Sequence, residues 1–232
     1  GFGQSGSEFK TKTTKLRKAL QETLSPSLLS QYPGGFTFHY PTGPLALPTP
    51  DSSSSLTGEV SDAPVEEENY AWWRNLDVSS EYIEHPASLA KLRDCIIREG
   101  PFDGIIGFSQ GACLAMMMAS WCESATDADR RHALATQGIP LQERAPQGPF
   151  RFAVSFSGYR GTLKYYSGFY SPEIRTPALL VTAAWDMLVS ERGSRELAGS
   201  CPHTEALSQP GAHYVPNSKE YLDVIAQFVG QA

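Results

Sequence analysis

The sequence predicts an α/β domain, with a mostly parallel central sheet and helices on both faces. Two observations carry that prediction. Short apolar runs at 103–108, 151–157, 177–183 and 204–208 read as strands, and longer helical stretches at 7–24, 86–99, 111–122, 190–199 and 218–229 are interleaved with them. Most of the runs are continuously apolar rather than alternating, as in strands buried on both faces. Strands separated by helices pair in parallel, because each crossover returns the chain to the same edge.

The elements follow in order. A glycine-rich turn, GFGQSG at 1–6, opens onto the amphipathic helix 7–24, and the aromatic run FTFHY gives a strand at 36–40. A long excursion, 41–75, is rich in Pro and Ser, contains Glu66-Glu67-Glu68 and resembles a lid. Helix 86–99, strand 103–108 and the small-residue, Met-rich helix 111–122 come next. A second, polar excursion at 123–148 reads as a surface insertion. The remaining strands and helices complete one domain over 1–232, with no internal repeat and enough chain for a full core.

Charge and composition exclude several classes. The net charge is −6 and no basic stripe is present, which argues against nucleic acid and anionic membrane surfaces. No run approaches the ~18 apolar residues that a membrane-spanning helix needs. Cys95, Cys113, Cys122 and Cys201 show neither C-x-x-C pairing nor metal-ligand spacing. No metal or cofactor is expected. Scattered cysteines fit a reducing compartment, so a cytoplasmic location is expected.

The chemistry lies in Gly107-Phe108-Ser109-Gln110-Gly111, a G-x-S-x-G between strand 103–108 and helix 111–122. Strand, sharp turn with serine, and helix make the nucleophile elbow of an α/β-hydrolase. The turn strains the serine backbone, and a Cβ at either flanking glycine is expected to collide with its neighbours. The same fold places an acid and then a histidine after later strands, at the carboxyl end of the sheet. Asp186 follows strand 177–183, whereas Asp127 and Asp129 follow none and Glu191 lies inside the next helix. His213 follows strand 204–208. His203 precedes that strand, and His132 sits in a polar stretch with no strand before it. The expected triad is therefore Ser109, Asp186 and His213. Backbone N–H groups of Gln110 and Phe2 are the expected oxyanion donors. GFGQSG lacks the lysine of a P-loop, and no strand precedes it for a dinucleotide site. In this fold a strand precedes such an oxyanion loop, and that N-terminal strand is expected to be missing from this chain.

GFGQSG (1–6), GPFDGIIGFSQGA (100–112), FRFAVSFSGY (150–159), TPALLVTAAWD (176–186) and GAHYVP (211–216) together resemble the small eukaryotic family of serine hydrolases. Ala183 stands where that family commonly has glycine. The resemblance implies a serine hydrolase of acyl esters or thioesters. Fungal members act as stand-alone thioesterases that release a polyketide from the acyl carrier domain of its synthase. That gives a candidate activity and a candidate partner. General carboxylesterase activity on small or medium acyl esters is the alternative. A non-catalytic binding module on the same scaffold is a reading from another class, since fold does not fix function.

Loop positions at the carboxyl edge nominate Tyr159, Met187, Leu188 and Tyr214 as apolar pocket walls. Adjacent Trp72 and Trp73 point to different sides. Either one of them faces the cleft, or both pack the excursion onto the body.

Overall fold

The computed structural model describes residues 1–48, 69–74, 84–136, 144–162 and 164–232. Of the lid-like excursion 41–75, residues 49–68 and 75 lie outside that set, as do 137–143 of the insertion.

Ser5 opens the first helix, α1 (Gly6–Lys12), with a capping box. Its hydroxyl accepts the Glu8 N–H at 3.2 Å, and the Glu8 carboxylate accepts the Ser5 N–H at 2.7 Å. The single helix expected over 7–24 is broken at Thr13, and α2 (Thr14–Glu22) begins after it. Thr13 is buried, and its hydroxyl bonds back to the Phe9 carbonyl at 2.7 Å and across to the Tyr40 hydroxyl at 2.9 Å. Local side-chain bonding of this kind competes with helix continuation. The chain continues through α3 (Pro26–Gln31), β1 (Leu45–Ala46), β2 (Tyr70–Ala71), α4 (His85–Glu99), β3 (Gly104–Phe108) and α5 (Gln110–Glu123). After α6 (Ala128–Thr136) come β4 (Phe152–Phe156), a 3₁₀ turn (Lys164–Phe169), β5 (Ala178–Ala183), α7 (Glu191–Ala198), β6 (Thr204–Gln209) and α8 (Lys219–Gln231).

The main sheet is parallel, in the order β3-β4-β5-β6. Side-chain alternation divides the core in two. Phe108, Phe152, Val154, Phe156, Leu179 and Val181 face Leu16 and Leu20 of α2 and the apolar side of α8. Ala153, Ala178 and Leu180 face the other way, onto α5 and the 3₁₀ turn. With both faces covered, the strands can be continuously apolar, which is the pattern the sequence displays.

The strand expected at 36–40 is not one. Those residues belong to neither sheet among the described residues, and a cavity of about 580 Å³ lies between them and the outer edge of β3. A strand is defined by its ladder, and across that gap the aromatic run has no backbone to pair with.

The polar insertion is not confined to the surface. Glu123 and Arg130 are both buried and form an ion pair at 3.1 Å. Glu123 also accepts the Arg175 and Thr176 N–H groups and the Thr176 hydroxyl, while Arg130 donates to the Phe169 carbonyl. Paired and bonded in this way, the two charges tie α5 and α6 to the approach to β5.

Candidate active site

Ser109 sits between β3 and α5 with φ 55° and ψ −122°, outside the usual regions for a residue with a side chain. The strain is held from both sides. The Ser109 N–H donates to the Phe156 carbonyl at 2.8 Å, at the end of β4. Its own carbonyl accepts the Ala112 and Cys113 N–H groups, so the serine also caps the start of α5. A Cβ on Gly107 would lie 2.3 Å from the Gly111 carbonyl oxygen and 2.5 Å from the Ala112 Cα, so this turn requires glycine. The second glycine departs from expectation. A Cβ on Gly111 would meet nothing nearer than the Trp72 indole nitrogen at 3.4 Å, an ordinary contact.

Asp186 and His213 are brought together. The loop after β5 is pinned to the loop after β6: the Ala184 N–H donates to the Gln209 carbonyl and the Trp185 N–H to the Gly211 carbonyl, each at 2.9 Å. Among the described residues, positive φ at a residue other than glycine occurs at Glu84, Ser109 and Ser157, so Ala183 fits its turn without left-handed backbone. That lacing sets Asp186 Oδ2 2.8 Å from His213 Nδ1. Asp186 Oδ1 accepts the Leu188 and Val189 N–H groups at 3.0 and 2.9 Å. Both side chains are largely buried, and the His213 ring lies 4.7 Å from that of Phe108. Burial pushes the Asp186 carboxyl up, but hydrogen bonds from His213, Val189, Ser157 and Leu188 outweigh it and hold the group below its ordinary value. With Nδ1 committed to Asp186, Nε2 is the imidazole atom left to accept a proton. The contact from Ser109 Oγ to that nitrogen is not closed among the described residues; such contacts commonly tighten when substrate binds.

Ser157 was not singled out from the sequence. It directly follows β4 with φ 46° and is 2% exposed, and it is among the groups that hold the Asp186 carboxyl low. A serine after a strand is too common a pattern to flag. Positive φ at a residue with a Cβ is the informative signal, and only coordinates supply it.

The other nominated residues divide. Gln110 is the first residue of α5, so its N–H points out of a helix N-terminus, where partial positive charge gathers. Phe2 lies in the turn before α1, 56% exposed. Met187 and Leu188 are 91% and 77% exposed beside Asp186, and Tyr214 is half exposed beside His213. Trp185, which the sequence reading passed over, joins this apolar rim at 72% exposure. Tyr159 is partly buried against the core. Trp73 is 2% exposed and packs at 5.4 Å on the His85 ring, so it belongs to the core and not to a wall. Trp72 is only partly buried and lies beside Gly111.

Helices on both faces of a parallel sheet, with a strained serine after one strand and an acid–imidazole pair after two later ones, define the α/β-hydrolase class. The chain matches the family described as serine hydrolase (FSH1) over residues 1–225, and it belongs to that family. An uncharacterized hydrolase of Schizosaccharomyces pombe is 30% identical over 237 residues, covering 99% of this chain and 49% of the relative. The chain thus spans about half the length of that relative. Human esterase OVCA2 is 29% identical, covering 100% of this chain and 93% of its own. Among solved structures, Arabidopsis thaliana SOBER1 superposes with a TM-score of 0.53 at 16% identity, covering 100% of this chain and 94% of that one, a likeness of fold.

Proposed function

We propose that this chain hydrolyses acyl esters or thioesters through an acyl–Ser109 intermediate. The observation that carries the reading is the 2.8 Å contact between Asp186 Oδ2 and His213 Nδ1 at the sheet edge that also presents the strained Ser109. In this mechanism Ser109 Oγ attacks the acyl carbonyl carbon while His213 Nε2 takes its proton. The carbonyl electron pair moves onto oxygen, where the N–H groups of Gln110 and Phe2 receive it. Collapse breaks the bond to the leaving oxygen or sulfur, which takes the proton from His213 and departs as alcohol or thiol, leaving the imidazole neutral. Water, deprotonated by His213, then attacks the acyl-serine and releases the acid. Asp186 holds Nδ1 protonated and balances the imidazolium.

The exposed apolar rim of Trp185, Met187, Leu188 and Tyr214 suits a hydrophobic acyl group. Tyr159 and Trp72 are further candidates for its contacts, whereas Trp73 is enclosed in the core. The finer reading is a fungal-type thioesterase that releases a polyketide or other acyl chain from a carrier protein. It rests on the family resemblance and on the apolar rim. A carboxylesterase on small or medium esters is the second reading, favoured by the similarity to a human protein named an esterase. Intact-mass measurement after brief incubation with matched acyl thioesters and oxygen esters tests both. The thioesterase reading expects an acyl adduct that forms faster from the thioester. Equal or slower thioester acylation favours the esterase, and no adduct from either would count against the acyl-enzyme.

A further inference from the structure

Gln110 offers more than its backbone. Its side chain is buried, 6% exposed, and reaches far along the sequence. Oε1 accepts the Trp72 N–H at 2.9 Å, and Nε2 donates to the Trp73 carbonyl at 2.8 Å. The carboxamide thus serves one backbone donor and one backbone acceptor of adjacent residues, much as a neighbouring strand would. Buried amides of this kind are costly to leave unpaired, so the pair of bonds fixes the elbow against residues 70–73.

Those residues lead on to the other half of the oxyanion site. Tyr70 and Ala71 are paired with Ala46 and Leu45, and the Ser88 hydroxyl donates to the Trp72 carbonyl. The Tyr70 carbonyl then accepts the Gln4 N–H at 3.1 Å. Gln4 closes the turn that carries Phe2, just before the Ser5 cap of α1. A continuous path of hydrogen bonds and backbone therefore runs from the elbow, through 70–73, to the loop 1–4. We propose that the Gln110 carboxamide is a positioning group that holds the two N–H donors of the oxyanion hole, Gln110 and Phe2, in register with each other. This deepens the acyl-serine reading and rests on it.

The two donors lie on separate pieces of chain. The elbow is fixed by the sheet, and the loop 1–4 is fixed by α1 and residues 70–73. An oxyanion hole acts only where both N–H groups point at one oxygen. Without the Gln110 side chain, the backbone donor of Gln110 remains, but its alignment with the second donor is lost.

The test uses Gln110→Met, close in length but without the amide, and Gln110→Glu, which keeps an acceptor for the Trp72 N–H and loses the donor to the Trp73 carbonyl. Turnover of p-nitrophenyl butyrate and inhibition by butylboronic acid, which forms a tetrahedral adduct on the serine, are measured beside Tm. Deleting an oxyanion donor costs ~10²–10³-fold in kcat. Misaligning one should cost roughly 10–100-fold in Gln110→Met, with KM changed less than about threefold and Gln110→Glu intermediate. The boronate inhibition constant should rise in step with the loss of kcat/KM across both variants, and Ser88→Ala should weaken the boronate a few-fold in the same direction. Wild-type kcat and boronate affinity in a folded Gln110→Met would overturn the proposal, as would a lower Tm with unchanged boronate affinity. If neither Gln110 variant folds, unchanged boronate affinity in Ser88→Ala overturns it. Ser109→Ala separates the two levels. Should that variant keep its activity, the acyl-serine reading itself fails.

Discussion

Replacing Asp186 by asparagine should disable the base while leaving the fold in place. Asp186 Oδ1 receives the N–H groups of Leu188 and Val189, and neither backbone donor can turn into an acceptor. The asparagine carbonyl oxygen must therefore take the Oδ1 position. Its NH₂ then occupies the Oδ2 position, facing His213 Nδ1 where the carboxylate now stands at 2.8 Å. An amide donor there forces Nδ1 to accept, which moves the ring proton to Nε2, the atom that must take the Ser109 proton. The charge that balances the imidazolium is lost as well. Together these effects should lower kcat about 10³–10⁴-fold, the range such a tautomer reversal produces in serine hydrolases. The Asn side chain is nearly isosteric, so Tm should move by only a few degrees. Steady-state turnover of p-nitrophenyl butyrate, with Tm on the same samples, provides the check. A folded Asp186→Asn enzyme within tenfold of wild type would refute the assignment of Asp186.

Other outcomes follow from the same geometry. Gly107→Ala should abolish soluble expression or lower Tm by more than about 10 °C, because its Cβ meets backbone atoms at 2.3 and 2.5 Å, whereas Gly111→Ala should stay folded; thermal melts of the two decide it. Burial in an aromatic nest pushes the His85 imidazole down from its ordinary 6.5 to about 3. Its contribution to stability is full above the unfolded-state value and falls away as pH drops from about 6.5 toward 3, so about 2 kcal/mol should be lost between pH 7 and 5. Urea titrations at both pH values should show that loss in wild type and a smaller one in His85→Leu, and equal losses would contradict the assignment. Burial raises the thiols of Cys113, Cys122 and Cys201 to about 12, so iodoacetamide should label Cys95 first in native protein, as peptide mapping would report.

The sequence is informative about the proposed triad because each candidate follows a strand, and strands buried on both faces are conspicuous as unbroken apolar runs. Position relative to the sheet nominates His213 over His203 and Asp186 over Asp127, and the nominated pair lies 2.8 Å apart. Features that depend on what lies across space were less accessible. The break at Thr13 coincides with a bond to Tyr40, far along the chain, and the aromatic run at 36–40 has no strand partner among the described residues, a fact that no local pattern reports. Trp72 and Trp73 are neighbours in sequence, yet one borders Gly111 and the other is enclosed by His85. The requirement for glycine at 107 but not at 111 comes from the close approach of the Gly111 and Ala112 backbone to Gly107, while Gly111 itself has room. Ser157 was concealed because its role depends on a positive φ and on a carboxylate carried by the next strand.

The most direct measurement is covalent labelling with a fluorophosphonate probe, followed by peptide mapping. Wild-type protein should carry the phosphonyl group on the peptide containing Ser109, and Ser109→Ala, folded to the same Tm, should carry none. Absence of labelling in folded wild-type protein, or labelling that persists in Ser109→Ala, would contradict the assignment of Ser109 as the nucleophile.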